Sequence, residues 1–196
     1  MNKLYFATSN SWKFNHANDF FKLNGIGLKQ FALELPESRS EDVEEIAKEK
    51  AEFAYSQIKK PVFVIDAAFY INGLNGFPKT YVKYAEKYIG ANGIIKLLKG
   101  NKDRTWEVDN VICYKNKNTI KIFHGKLKGI VSYSLKIDNI NKVREVDRIF
   151  IPENYKKTYS EFTKEEQTSY DNKIWKPKVF DEFISWIKNN NISKNK

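Results

Sequence analysis

The segment Leu4-Tyr5-Phe6-Ala7-Thr8-Ser9-Asn10-Ser11-Trp12-Lys13 holds a strand, a polar turn and the start of a helix. Leu4 to Ala7 is a short apolar run that reads as a buried strand. Thr8, Ser9 and Asn10 carry the side-chain oxygens that cap a helix N-terminus. Beyond them Phe14, Ala17, Phe20, Phe21 and Leu23 recur at roughly helical spacing. The free N–H groups at such a helix start favour anions, and Lys13 lies one turn in, placed to reach the same anion. The same residues also read simply as a helix cap with a surface lysine.

Working outward, Ile26 to Leu33 reads as a second strand, and an acidic, Ser-rich stretch from Glu37 to Asp42 opens a second helix. That helix buries Val43, Ile46, Ala47, Ala51, Ala54 and Ile58 and stops before Pro61. Val62-Phe63-Val64-Ile65 is a β-branched apolar run expected of a strand buried on both faces, ending at Asp66. A charged residue at a strand end either caps the following turn or carries chemistry at the crevice where such strands open. After Phe69 to Leu74 comes a turn, Asn75-Gly76-Phe77-Pro78, and then one helical stretch reaching Leu98. Residues 105–137 suggest a three-stranded meander through Trp106 to Ile112, Ile120 to Ile122 and Ile130 to Tyr133. Glu165 to Tyr170 reads as a short helix. Phe180, Phe183, Ile184 and Ile187 mark a last amphipathic one. The predicted class is α/β: an elongated, two-lobed mixed sheet with flanking helices and a central substrate cleft. Residues 1–188 form one domain in this reading, and residues 189–196 a polar, frayed tail.

The chain has 196 residues, a formal net charge of +10 and one cysteine, Cys113. An internal disulfide is therefore excluded, and two histidines cannot build a three-His metal site. No apolar run reaches the roughly 18 residues that cross a bilayer, so a cytoplasmic protein without membrane contact is expected. The positive excess sits mainly in residues 51–150. It suits a solvated lysine-rich surface, a pocket for a phosphorylated small molecule, or, less well, a nucleic-acid face.

Neither a P-loop nor a dinucleotide-binding glycine fingerprint occurs. What remains is Thr8, Asn10 and Lys13 on one side, and two carboxylates, Glu45 and Asp66, on the other. Those are hard oxygen ligands of the kind Mg²⁺ uses together with substrate phosphates. Glu45 reads equally as one of several solvated acids, since Glu41, Asp42, Glu44 and Glu49 surround it.

These residues resemble the inosine triphosphate pyrophosphatase family. Thr8-Ser9-Asn10-Ser11-Trp12-Lys13 is similar to its opening Thr-x-Asn-x-x-Lys signature, and Glu45 to Ala51 to its Glu-x-Ala-x-x-Lys-Ala helix. Asp66, the Leu74 to Pro78 turn, Phe123-x-Gly125-x-x-x-Gly129-Ile130, Asp147-x-x-Phe150-x-Pro152 and Lys157 to Glu161 follow in the family's order. The resemblance covers roughly residues 3–187. It implies a Mg²⁺-dependent homodimer that cleaves between the α and β phosphates of a nucleoside triphosphate, releasing the monophosphate and pyrophosphate. Thr8, Asn10, Lys13, Lys50 and Lys83 would bind substrate. Glu45 would hold metal, and Asp66 would hold metal or activate water.

The departures from the family pattern cluster. Ile65 stands where a second acid is usual, and Ala67-Ala68 where a hydroxyl residue and a small residue are. Arg144-Glu145-Val146-Asp147 replaces a Phe-Gly-Tyr/Trp-Asp segment that packs on the purine. Asp171-Asn172-Lys173 is expected at the base-reading Ser-His-Arg. Asp147, Asp171, Asn172 and Lys173 are therefore the expected base contacts, with an altered base choice. A relative that binds nucleotides without turnover is the alternative.

Overall fold

The computed structural model describes residues 4–136, 144–190 and 192. Its strands form a seven-stranded mixed sheet in the order β2 (Leu28–Phe31), β1 (Leu4–Ala7), β3 (Val62–Ile71), β5 (Thr105–Lys115), β6 (Ile120–Val131), β7 (Phe150–Pro152), with β4 (Pro78–Lys79) paired to β3. Two compact units divide the chain. The first comprises Met1–Asp66, Asn110–Gly125 and Lys176–Lys196, and the second Ala67–Asp109 and Lys126–Trp175.

In the first unit, β1 (Leu4–Ala7) runs parallel to both β2 (Leu28–Phe31) and β3 (Val62–Ile71). Helix α1 (Ser11–Leu23) turns Phe21 inward, and α2 (Val43–Ile58) buries Val43, Ile46, Ala47, Ala51 and Ala54. Asp42 caps α2 by accepting the N–H groups of Glu44 and Glu45. The chain leaves α2 through Lys59 in a left-handed conformation, two residues ahead of Pro61. The core is aromatic: Phe63 stacks on Phe6 at 4.6 Å and meets Phe183 edge-on at 5.0 Å, and Phe21 meets Phe180 at 5.3 Å. Phe180 and Phe183 come from the last helix, whose apolar spacing was plain in the sequence.

The second unit holds β4 (Pro78–Lys79), α3 (Val82–Tyr88), α4 (Gly90–Leu97), β7 (Phe150–Pro152) and α5 (Lys164–Tyr170). β5 (Thr105–Lys115) and β6 (Ile120–Val131) belong to it by their Thr105–Asp109 and Lys126–Val131 portions. The last helix of the chain, α6 (Lys176–Asn189), belongs to the first unit. Gly129 faces Pro152 across the antiparallel β6–β7 pair. A Cβ on Gly129 would lie 2.0 Å from the Ile151 carbonyl oxygen and 2.8 Å from the Trp106 indole, so only glycine admits this approach. The buried Arg104 ties the unit together by donating to the carbonyls of Leu98, Val131 and Ser132.

Three expectations change. The β3 strand does not end at Asp66 but continues to Ile71, because Lys50 compensates the carboxylate and Ala67-Ala68 pack without bulk. The single helix to Leu98 is two helices, broken at Gly90 with φ +66°. The three-stranded meander is two long strands, with Ile130 inside β6, and the third partner is β7, distant in sequence. Residue 137 of that stretch lies outside the described residues, as do residues 191 and 193–196 of the expected tail.

Candidate functional site

In the first unit, the turn between β1 and α1 is built on its own polar side chains. Asn10 is the N-cap of α1, its Oδ1 accepting the Lys13 N–H at 3.0 Å, and Thr8 Oγ1 accepts the Asn10 N–H at 3.1 Å. Gln30 from β2 donates to the Thr8 carbonyl at 3.0 Å, holding the turn against the sheet. Lys13 lies exposed in the first helical turn, as its spacing predicts.

The two expected carboxylates lie on α2 and β3. Lys50 donates to Asp66 Oδ2, their side chains 12% and 23% exposed. β1 and β3 pair in parallel at Tyr5↔Val62 and Phe6↔Phe63; the turn follows the end of β1 at Ala7, and Asp66 lies three residues beyond Phe63 on β3. Glu45 lies exposed in the first turn of α2, and its Oε2 accepts from Ser40 Oγ at 2.7 Å. Among the described residues no group of three or more His, Cys, Asp or Glu side chains stands ready to hold a metal ion. Two separate carboxylates fit a cation that keeps most of its shell as water and phosphate oxygen, which is the habit of Mg²⁺.

The second unit gathers a different set. Asp147, buried in a short 3₁₀ turn (Glu145–Arg148), receives Arg144 through both oxygens, at 2.8 Å and 3.2 Å. Glu86 on α3 accepts the Val146 N–H at 3.4 Å, and burial raises its carboxyl above the ordinary range. Tyr159 donates to both oxygens of Asp171, at 3.2 and 3.4 Å. Burial, followed by the charges of Asp171 and Asp147, pushes the Tyr159 hydroxyl far up. Asp147 and Asp171, expected from sequence, are thus brought around one tyrosine. Asn172 and Lys173 share a single π-helical turn (Asp171–Trp175) with Asp171 but are exposed, and Lys83 is exposed near the start of α3.

Sequence reasoning missed Tyr159 and Glu86 as members of this cluster. Tyr159 stood inside a quoted motif, Lys157 to Glu161, so a signal existed. In the first unit it also missed His16 and Lys176. His16 stacks on Trp12 at 4.8 Å, and its pKa falls to about 4 through burial and then the nearby Lys176 cation, with Asp19 opposing. Lys176 is only 8% exposed. Nothing in its spacing separates it from the surface lysines.

Residues 4–174 match the model of the Ham1 family. The chain belongs to the Ham1 family. Among curated relatives it is similar to the dITP/XTP pyrophosphatase of Thermococcus kodakarensis, 31% identical over 96% of this chain and 98% of that one. The dITP/XTP pyrophosphatase of Methanopyrus kandleri is 32% identical, over 96% of this chain and 97% of that one. Solved Ham1 proteins share the fold: that of Coxiella burnetii superposes with a TM-score of 0.80 at 20% identity, over 96% of this chain and all of that one. The Ham1 protein of Staphylococcus aureus gives 0.74 at 21% identity, with the same coverage. The resemblance read from six weak motifs is thereby borne out, as is the mixed α/β class.

Proposed function

We propose that this Ham1-family chain is a nucleoside triphosphate pyrophosphohydrolase, releasing a nucleoside monophosphate and pyrophosphate, with deoxyinosine and xanthosine triphosphates as the first substrates to test. The names of its full-length relatives support the reaction class. The observation that carries it to particular residues is the Lys50–Asp66 pair, whose aspartate lies on β3, the strand paired with the one that ends at the capped Thr8-Ser9-Asn10 turn.

In this reading the N-terminal amides of α1, with Thr8, Asn10, Lys13 and Lys50, bind the polyphosphate, and Lys83 adds positive charge. Asp66 orients the water that attacks the α-phosphorus, in line with the departing pyrophosphate. Glu45 and Asp66 would hold Mg²⁺, which when bound neutralises charge on the phosphate oxygens. Lys50, which pairs with Asp66, supplies positive charge for the substrate's phosphates. Asp147, Asp171, Asn172 and Lys173 belong to the base end. The proposal also includes one two-lobed domain over residues 1–188, a homodimer and a cytoplasmic setting. Among the described residues no helix is long and apolar enough to cross a membrane.

Pyrophosphate release from a panel of nucleoside triphosphates with Mg²⁺ tests this. Release that disappears in Asp66→Asn is expected. Absence of release from every nucleotide by the folded wild type would replace the hydrolase with a non-catalytic binder.

A further inference from the structure

Helix α2 opens with a cap that is closed through a third residue. Asp42 is its N-cap and Glu45 its third residue, the spacing at which a glutamate ordinarily folds back onto the N–H of its own N-cap. Two glutamates of this chain do so: Glu161 accepts the Thr158 N–H at 2.8 Å, and Glu166 accepts the Thr163 N–H at 2.7 Å. Glu45 does not. The Asp42 N–H goes to Ser40 Oγ at 3.0 Å, and the Ser40 hydroxyl donates to Glu45 Oε2 at 2.7 Å.

One hydroxyl is therefore inserted between two groups that could have satisfied each other. A serine oxygen that accepts an amide still has its proton to give, so Ser40 serves both. Glu45 is held at both ends, its main-chain N–H by Asp42 Oδ1 at 3.4 Å and its carboxylate by Ser40. A second serine ties the same segment along the helix, since Ser38 donates to Glu49 Oε2 one turn further on. Both serines are half-buried while Glu45 is exposed. An exposed glutamate ordinarily loses rotamer freedom when it takes a ligand, and one already ordered by a hydroxyl loses less. A single hydrogen bond at Oε2 leaves the carboxylate with lone pairs for a cation.

We propose that Ser40 is a positioning residue for cation binding: its hydroxyl occupies the N–H onto which Glu45 would fold and holds the carboxylate out as a ligand for the divalent metal. The inference rests on the pyrophosphohydrolase reading for the role of Glu45. Without the hydroxyl, the Asp42 N–H and the Glu45 carboxylate are both released, and the ordinary capping box closes between them. That box also stabilises a helix, so the loss falls on cation affinity and not on the fold. Hydrogen-bond partners of metal-binding side chains are commonly worth ten- to a hundredfold in affinity.

The test uses Ser40→Ala, Ser40→Thr, Glu45→Gln and the double variant Ser40→Ala/Glu45→Gln, all in the full chain. Mn²⁺ titration followed by electron paramagnetic resonance reads cation affinity without turnover. It is run with an inosine triphosphate analogue carrying a methylene between the α and β phosphates, against the analogue alone. Ser40→Ala weakens Mn²⁺ binding by about tenfold and raises the Mg²⁺ concentration for half-maximal pyrophosphate release by a similar factor, with an unchanged melting temperature. Ser40→Thr, which keeps the hydroxyl, restores both. In the Glu45→Gln background the same alanine adds no further loss. Wild-type Mn²⁺ affinity in Ser40→Ala overturns the proposal, as does a tenfold loss that persists in the Glu45→Gln background. A loss of affinity that comes with a lowered melting temperature and is not restored by threonine shows a structural serine and overturns it too. Pyrophosphate release by wild type with a Mg²⁺ requirement indifferent to Ser40→Ala removes the positioning role and leaves the hydrolase standing. Mn²⁺ binding in the predicted order without pyrophosphate release does the opposite. A wild type that neither releases pyrophosphate nor binds Mn²⁺ refutes both.

Discussion

Acid should unfold this protein through one histidine more than through any other single group outside the carboxylates. His16 has a pKa of about 4 in the folded chain against 6.5 for an unperturbed imidazole, because it is half-buried and lies near the Lys176 cation. Above pH 6.5 the ring is neutral in both states and contributes nothing to the pH dependence. Between 6.5 and about 4 the unfolded chain takes up a proton that the folded chain refuses, so stability falls as pH falls. Below about 4 the loss is complete. At 1.36 kcal/mol per unit the full loss is at most about 3 kcal/mol, of which about 2 kcal/mol is gone between pH 7.5 and pH 5.0. Urea unfolding at those two pH values, on wild type and His16→Gln, isolates the term because carboxylates titrate alike in both. Wild type should lose about 2 kcal/mol more than the variant across the interval. An NMR titration of the ring gives the folded-state value directly. Identical acid slopes for the two proteins, or a ring titrating near 6.5 in the folded state, would refute the reasoning.

Gly129→Ala should break the β6–β7 pairing, since the added methyl carbon lands on the Ile151 carbonyl. A cost of about 3 kcal/mol in thermal or chemical unfolding is expected, and a melt unchanged from wild type would contradict the packing. Phe63→Ala empties the centre of the aromatic core in the first unit, between Phe6, Phe21 and Phe183, and should cost about 3–5 kcal/mol by urea titration. Burial pushes the Cys113 thiol up to about 12, so a thiol reagent at pH 8 should leave the native protein unlabelled and label it fully in denaturant.

How far the sequence reads depends on where the information lies. The α2 helix is legible from Asp42 to Pro61 because its cap, its buried stripe and its terminator are local. The β6–β7 pair is not, because Phe150–Pro152 is a three-residue strand whose partner lies about twenty residues earlier, and so short a run has no period of its own. Asp66 misled in a different way. A charge suggested the end of a strand, but the Lys50 ammonium that lets the strand continue sits sixteen residues away on a helix. At the candidate site, Thr8, Asn10, Lys13 and Asp66 were legible from their places at a helix start and on a buried strand, Lys50 only from the motif resemblance, and the structure joins Lys50 to Asp66 and Asn10 to the helix start. Lys176 and His16 escaped because burial of a lysine depends on what α6 packs against, which no spacing encodes.

The hydrogen bond that Asn10 makes to its own helix has a chemical handedness. With Oδ1 accepting the Lys13 N–H, the amide presents its NH₂ group to the surroundings as a donor. Aspartate caps helices about as well as asparagine. It would leave α1 intact while offering the surroundings a lone pair and a negative charge where asparagine offers two protons. The choice of amide over acid at position 10 therefore has no consequence for folding and a large one for what the turn will tolerate beside it: the turn is wired as a donor, and electron-rich guests are the ones it suits.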